Sequence, residues 1–228
     1  MYRKVEKYKS SILHLYKAMY LFIASLLLAS SASANSAIDT FSIKQDDIVL
    51  GNANSKVVVV EYFAPTCTHC VNAHHKIFPV IKERYIDTGK IAYVMREFIG
   101  NKQDLDASIL ARCEGSTEKY MALKDLVLSK QDKWAYGRDY RKSLESFGKS
   151  VGISKEEYAL CLQDESIIQT LINNTTAAAK LDNFIGTPSF FINGKLLDGK
   201  YGVTTEIIIE ELEELAKKIT NWQMMNSG

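Results

Sequence analysis

The sequence predicts an α/β fold interrupted by an all-helical insertion, and three observations carry that prediction. Val57, Val58, Val59 and Val60 with Tyr62 and Phe63 read as a buried strand, which breaks at Pro65 and passes straight into a helical pattern. From Gln103 to Leu181 the chain has no proline and shows several amphipathic stretches, an all-helical block. Strand signals then return at Phe190-Phe191-Ile192, followed by Asn193-Gly194, the dipeptide that best favours a two-residue hairpin turn.

Composition narrows the classes. The 228 residues suit one domain, or one domain with a large insertion. The 28 basic and 27 acidic residues nearly cancel, so the chain lacks the charge footprint of a nucleic-acid binder. The N-terminus is more specific. Arg3, Lys4, Lys7, Lys9 and Lys17 precede the apolar run 18–29, and Ala32-Ser33-Ala34 matches a small-residue cleavage site. A run of about a dozen residues is short for a span that needs roughly 20. Residues 1–34 are therefore read as an export signal cleaved after Ala34. Removing them takes away five basic residues and one acidic, so the remainder carries a net charge of −3. Export favours persistent disulfides.

Taken in order, 35–46 form a polar lead-in, and Asp47 to Leu50 a short edge strand before the turn Gly51-Asn52-Ala53-Asn54. The valine strand and a helix over 71–85 follow, with Pro79 expected to kink the helix because it donates no backbone hydrogen bond. Gly89 suits the left-handed stop. The segment 90–98 alternates as a second strand, parallel to the first if the helix is a crossover. After the helical block and the hairpin, with its returning strand at 195–198, a last helix begins near Thr204. Glu206, Glu210 and Glu211 stand early in it and Lys217 and Lys218 late, complementing the helix dipole. The predicted division is thus 35–102 and 182–228 as the two parts of one α/β domain, with 103–181 inserted.

The chemistry centres on Cys67-Thr68-His69-Cys70, at a strand-to-helix junction. A sulfur beside the unpaired N–H groups of a helix N-terminus is stabilised as a thiolate. Exchange with a disulfide needs one thiolate to attack and a second thiol to resolve the mixed disulfide. Cys67, at the helix start, is predicted to attack, and Cys70, one turn inside, to resolve. A static structural disulfide between them is the bland alternative.

With Glu61-Tyr62-Phe63 before the dithiol, the helical insertion, and Gly186-Thr187-Pro188-Ser189-Phe190-Phe191 with Asn193-Gly194, the chain resembles the DsbA family of thiol–disulfide oxidoreductases over about residues 46–220. The resemblance implies a thioredoxin fold with an inserted all-helical domain. It also implies a periplasmic protein that introduces disulfides into reduced substrate proteins, without a bound cofactor, and is recharged by a quinone-linked DsbB-like membrane partner. His69 resembles the histidine that helps hold the thiolate in oxidising members, whereas Thr68 departs from their usual proline. The family places a proton-relaying buried acid at Glu61, a cis peptide bond at Pro188 beside the dithiol, and at Thr187 the backbone that pairs with the substrate chain. A reductase or isomerase of the same fold, or a thioredoxin-fold metallochaperone, are the rivals.

Cys113 and Cys161 both fall in the helical block. Export and an even cysteine count suggest a structural disulfide; two buried free thiols or a second redox pair are the alternatives. His74 shares a helical face with Cys67 and Cys70, which permits a metal site in principle, but packing is the expected role, and no metal is predicted.

Overall fold

The computed structural model describes residues 41–199 and 202–226, so the predicted export segment lies outside the described residues. The elements below belong to the unit that begins at Ile43. Five strands, β1 (Ile48–Gly51), β2 (Val58–Phe63), β3 (Ala92–Glu97), β4 (Ser189–Ile192) and β5 (Lys195–Leu196), form one sheet in the order β1-β3-β2-β4-β5. β2 and β3 run parallel with Glu61 opposite Met95, and the other pairings are antiparallel. The valine strand occupies the centre because its side chains on both faces are buried, as a central parallel strand requires.

The β4–β5 turn is the predicted hairpin, with Asn193 at φ 47° and Gly194 at φ 83°, both left-handed as a type I′ turn demands. Gly51 ends β1 at φ 80°, and a Cβ there would lie 2.5 Å from the Ile91 carbonyl oxygen, so only glycine fits this edge.

The predicted helix over 71–85 is three pieces: α1 (Thr68–Lys76), α2 (Phe78–Ile81) and a π-helical stretch at Lys82–Ile86. Pro79 sits in the first turn of α2, where its missing N–H costs least, so the chain breaks ahead of the proline rather than bending through it.

The helical block comprises α3 (Lys102–Arg112), α4 (Thr117–Ser129), α5 (Gln131–Trp134), α6 (Tyr140–Ser150), α7 (Lys155–Cys161) and α8 (Glu165–Ala179). Polar caps set their starts: Asn101, Ser116, Ser154 and Asp164 each accept a first-turn N–H, and Ser154 with Glu157 completes a capping box. Cys113 and Cys161 form a disulfide, with Cα atoms 5.5 Å apart. The last helix is α9 (Thr205–Asn226).

Side chains alternate across β2 and β3, so each face of the sheet buries a different set. One face holds Tyr62 and Arg96, whose guanidinium grips the Asp47 carboxylate at 2.7 and 2.8 Å. The other holds Glu61, Phe63, Tyr93, Met95 and Glu97, all buried. Two carboxylates in one core layer need cations. Lys124 of α4 meets Glu61 and Arg112 of α3 meets Glu97, so the helical block neutralises the sheet's charges.

Candidate functional site

The loop from β2 to α1 is held by the helical block. The Thr66 N–H donates to Asp104 Oδ1 (2.8 Å), Gln131 Nε2 donates to the Pro65 carbonyl (2.8 Å), and the Tyr136 hydroxyl donates to the Thr66 carbonyl (3.1 Å). Burial pushes the Asp104 carboxyl up, and the N–H groups of Thr66, Gly100 and Asn101 oppose that shift. Asp104, Gln131 and Tyr136 escaped the sequence reading because their partners are backbone atoms far away in the chain.

Cys67 is the N-cap residue of α1, and its Sγ accepts the Cys70 N–H at 3.3 Å. The Cys67 thiol is pulled down from 9.0 to about 6. The Cys70 thiol is the largest cause; the Thr187 hydroxyl and the Cys70 and His69 backbone N–H groups add to it, and burial opposes it. Cys70 has no exposed surface, and its thiol is pushed far up, first by burial and then by the neighbouring Cys67 sulfur. Both cysteines are free thiols here. One sulfur is therefore ready to attack near neutral pH, while the other holds its proton.

The Thr187–Pro188 peptide bond is cis. The loop it shapes lies against the dithiol, with the Cys67 thiol donating to the Thr187 carbonyl at 3.1 Å. Beside it, between α1, residues 185–188 and the start of α9, opens a groove of about 710 Å³ lined by His69, Lys76, Ile185, Pro188 and Thr205. Ile185 is 96% exposed, an apolar side chain without cover at the edge of that groove.

The structure thus brings together Cys67, Cys70, Thr187 and Pro188. His69 is exposed, and it is its backbone N–H that acts on Cys67. Glu61 is buried at 2% exposure, but its hydrogen-bond partners are the Tyr93 hydroxyl (3.0 Å) and Lys124 Nζ (2.9 Å) rather than a sulfur. Lys124 also lies 4.2 Å from the centroid of the Phe63 ring and 3.3 Å from Met95 Sδ. Nothing in the sequence flagged it, since a lysine in an amphipathic helix normally reads as solvated. His74 does not join the sulfurs: its Nε2 is 3.0 Å from Asp125. Among the described residues, no group of three or more His, Cys, Asp or Glu side chains is placed to hold a metal ion. Cys113 and Cys161 lie apart from this site, within the helical block.

A family model described as thioredoxin matches residues 44–211. The chain belongs to the thioredoxin family, in its DsbA-like branch of thiol–disulfide oxidoreductases. It is 50% identical over 199 residues to a Rickettsia conorii protein, covering 85% of this chain and 72% of that one. It is 56% identical over 155 residues to a Rickettsia bellii protein, covering 68% and 60%. Both bear the name "Putative protein-disulfide oxidoreductase". The chain therefore spans somewhat under three quarters of the first relative's length and three fifths of the second's. Among solved structures, alpha-DsbA1 of Wolbachia pipientis superposes with a TM-score of 0.71 at 26% identity, over 82% of this chain and 99% of that one. The DsbA-like architecture accounts for the sheet, the helical insertion and the dithiol at the helix start together.

Proposed function

We propose that the protein is an exported DsbA-like oxidase, in which Cys67 and Cys70 in their oxidised form accept two electrons from a pair of cysteines in a reduced substrate protein. A substrate thiolate attacks Cys67, and Cys70 leaves and takes a proton. The substrate's second thiolate then displaces Cys67, which departs as a thiolate. One substrate proton ends on Cys70 and the other goes to solvent. The observation that carries this reading is the contrast between the two sulfurs: Cys67 ionises near pH 6 at the cap of α1, and Cys70 stays protonated in the core. A stabilised thiolate makes the reduced enzyme the lower-energy form, so its disulfide oxidises others.

In this reading Thr187 offers its carbonyl to the backbone of an extended substrate segment, as an added strand beside the cis Pro188. Ile185 and the groove below take neighbouring side chains. Glu61 relays the proton of Cys70, and His69 contributes at the mouth of the groove. Residues 35–102 and 182–228 act as the exchange domain and 103–181 as the clamp on its active-site loop. Cleavage after Ala34 releases the chain to the periplasm, where a quinone-linked DsbB-like membrane protein reoxidises it.

The test is oxidative refolding of a reduced, multi-cysteine substrate with the wild type and with Cys67→Ser, together with the reduction potential of the dithiol. The oxidase reading expects catalysis lost in the variant, and a potential nearer DsbA's about −120 mV than thioredoxin's about −270 mV. A potential near the latter value would make the protein a reductase.

A further inference from the structure

The exchange chemistry leaves one buried base of the active-site helix without a task. His74 stands on α1 seven residues after Cys67, is 6% exposed, and stacks on Phe78 with ring centroids 5.8 Å apart. Its Nε2 is 3.0 Å from Oδ1 of Asp125, a residue whose side chain is 63% exposed. An ionised carboxylate can only accept, so Nε2 carries the hydrogen and Nδ1 bears the lone pair. That Nδ1 is buried and has no hydrogen-bond partner. A nitrogen left unpaired in the core costs free energy and calls for an explanation.

The charged and titratable groups around the ring supply one. Lys124 and Asp125 face it from α4, Glu61 from β2, and exposed His75 lies beside it on α1 with centroids 5.3 Å apart. Lys124 Nζ donates to Glu61 at 2.9 Å and sits 5.4 Å from the centroid of Phe78, the ring on which His74 stacks. The imidazole thus has one nitrogen at a solvent-exposed acid and the other buried and unpaired, in a ring on which the Glu61 and Lys124 charges act.

We propose that His74 relays protons between solvent at Asp125 and the buried Glu61–Lys124 pair, serving the proton that Cys70 gains and loses. The proposal deepens the dithiol reading and rests on it. When Cys70 gives up its proton to Glu61, a proton enters the imidazole at Nδ1 and another leaves Nε2 to Asp125 or water. No electrons move in the relay. In the opposite half of the cycle a proton enters at Nε2 and leaves from Nδ1 inward to Cys70, which restores the starting tautomer. Burial with the nearby Lys124 charge holds the His74 ring below its usual 6.5, although Asp125 and Glu61 oppose them, so the neutral relay form prevails at neutral pH.

The test uses the reduced protein and an aromatic disulfide that releases a coloured thiolate. Attack by Cys67 releases the first equivalent and forms a mixed disulfide; Cys70 then displaces the second, a step that requires its deprotonation while Cys67 is tied up in a bond. With His74→Phe, which keeps the stack on Phe78, the second phase is expected to slow about a hundredfold, the low end for loss of a proton-transfer group. It should also lose the wild type's fall in rate as pH drops through the lowered His74 midpoint. The first phase should be unchanged. Asp125→Asn, at an exposed position, should slow the second phase less and in the same direction. A second phase with wild-type rate and pH profile in His74→Phe overturns the proposal. Should that variant fail to fold, a second phase with wild-type rate and pH profile in His74→Gln overturns it instead. Absence of the first phase in the wild type would instead remove the dithiol reading itself, so the two failures are distinct.

Discussion

The two cysteine pairs share a chain and a degree of burial at their more open sulfurs, yet they stand at opposite ends of helices. Cys67 caps the N-terminus of α1, where N–H groups converge on its sulfur. Cys113 caps the C-terminus of α3, and Cys161 is the last residue of α7. There the sulfurs lie against carbonyl oxygens, Glu157 O at 3.8 Å from Cys113 Sγ and Cys113 O at 3.6 Å from Cys161 Sγ. The positive end of a helix dipole stabilises a thiolate and the negative end destabilises one. One pair therefore sits where a thiolate is favoured, and the other where it is not. The lesson is that position along a helix, more than burial, separates an exchanging dithiol from a fixed cross-link.

The sharpest way to break the comparison is to swap chemistry at each pair. Cys67→Ser should lower exchange with a reduced substrate by about a thousandfold or more, as loss of a nucleophile does, whereas Cys113→Ala with Cys161→Ala should leave the initial exchange rate within about twofold. The double variant should instead lose about 4 kcal/mol of stability to denaturant, because the bond closes a loop with a sequence separation of 48. Exchange that follows the second pair, or stability that ignores it, would undo the contrast.

A second difference is the charged floor, since the dithiol helix lies over an ion pair. Lys124→Met leaves the Glu61 carboxylate buried without its cation and should cost about 3 kcal/mol in chemical denaturation. Adding Glu61→Gln should recover much of that loss.

The dithiol also ties stability to pH. In the folded reduced protein Cys67 is held near 6 against 9.0 unperturbed. Its contribution is therefore full above about pH 9 and is lost as pH falls through about 6. Cys70 is raised, so above about pH 9 the unfolded chain ionises there while the folded chain does not, and stability turns down again. Unfolding of the reduced form minus that of the oxidised form, measured from pH 5 to 10, should rise between 6 and 9 and then decline.

The smallest effects concern the neighbours of Cys67. Cys70→Ala should raise the ionisation midpoint of Cys67 most, and Thr187→Val should raise it less, following the order of their contributions. Thiolate absorbance titration reads both, and a reversed order would show that the loop rather than the second thiol sets the acidity.

Much of this was legible in one dimension. Local patterns fixed the valine strand, the hairpin at Asn193-Gly194 and the dithiol at a helix start, because each depends on residues within a few positions of one another. The broken helix at Ile77 and Phe78 was half-legible: Pro79 announced an interruption, but whether the chain bends or stops is decided by what packs around it. Lys124, Asp104 and Gln131 could not be read at all. Their side chains act on Glu61, Thr66 and Pro65, at sequence separations of 63, 38 and 66.

The sequence by itself determined which sulfurs can react and which elements carry them, since dihedral preference, hydrophobic period and helix-end chemistry are local. Only the tertiary structure decided the environment of those sulfurs and of the core around them: the Thr187 carbonyl brought to 3.1 Å from Cys67, the cation paired with Glu61, and the imidazole with one nitrogen buried and unpaired. Electrostatic interaction depends on distance in space and on the exclusion of water, and neither is set until the helical block closes over the sheet.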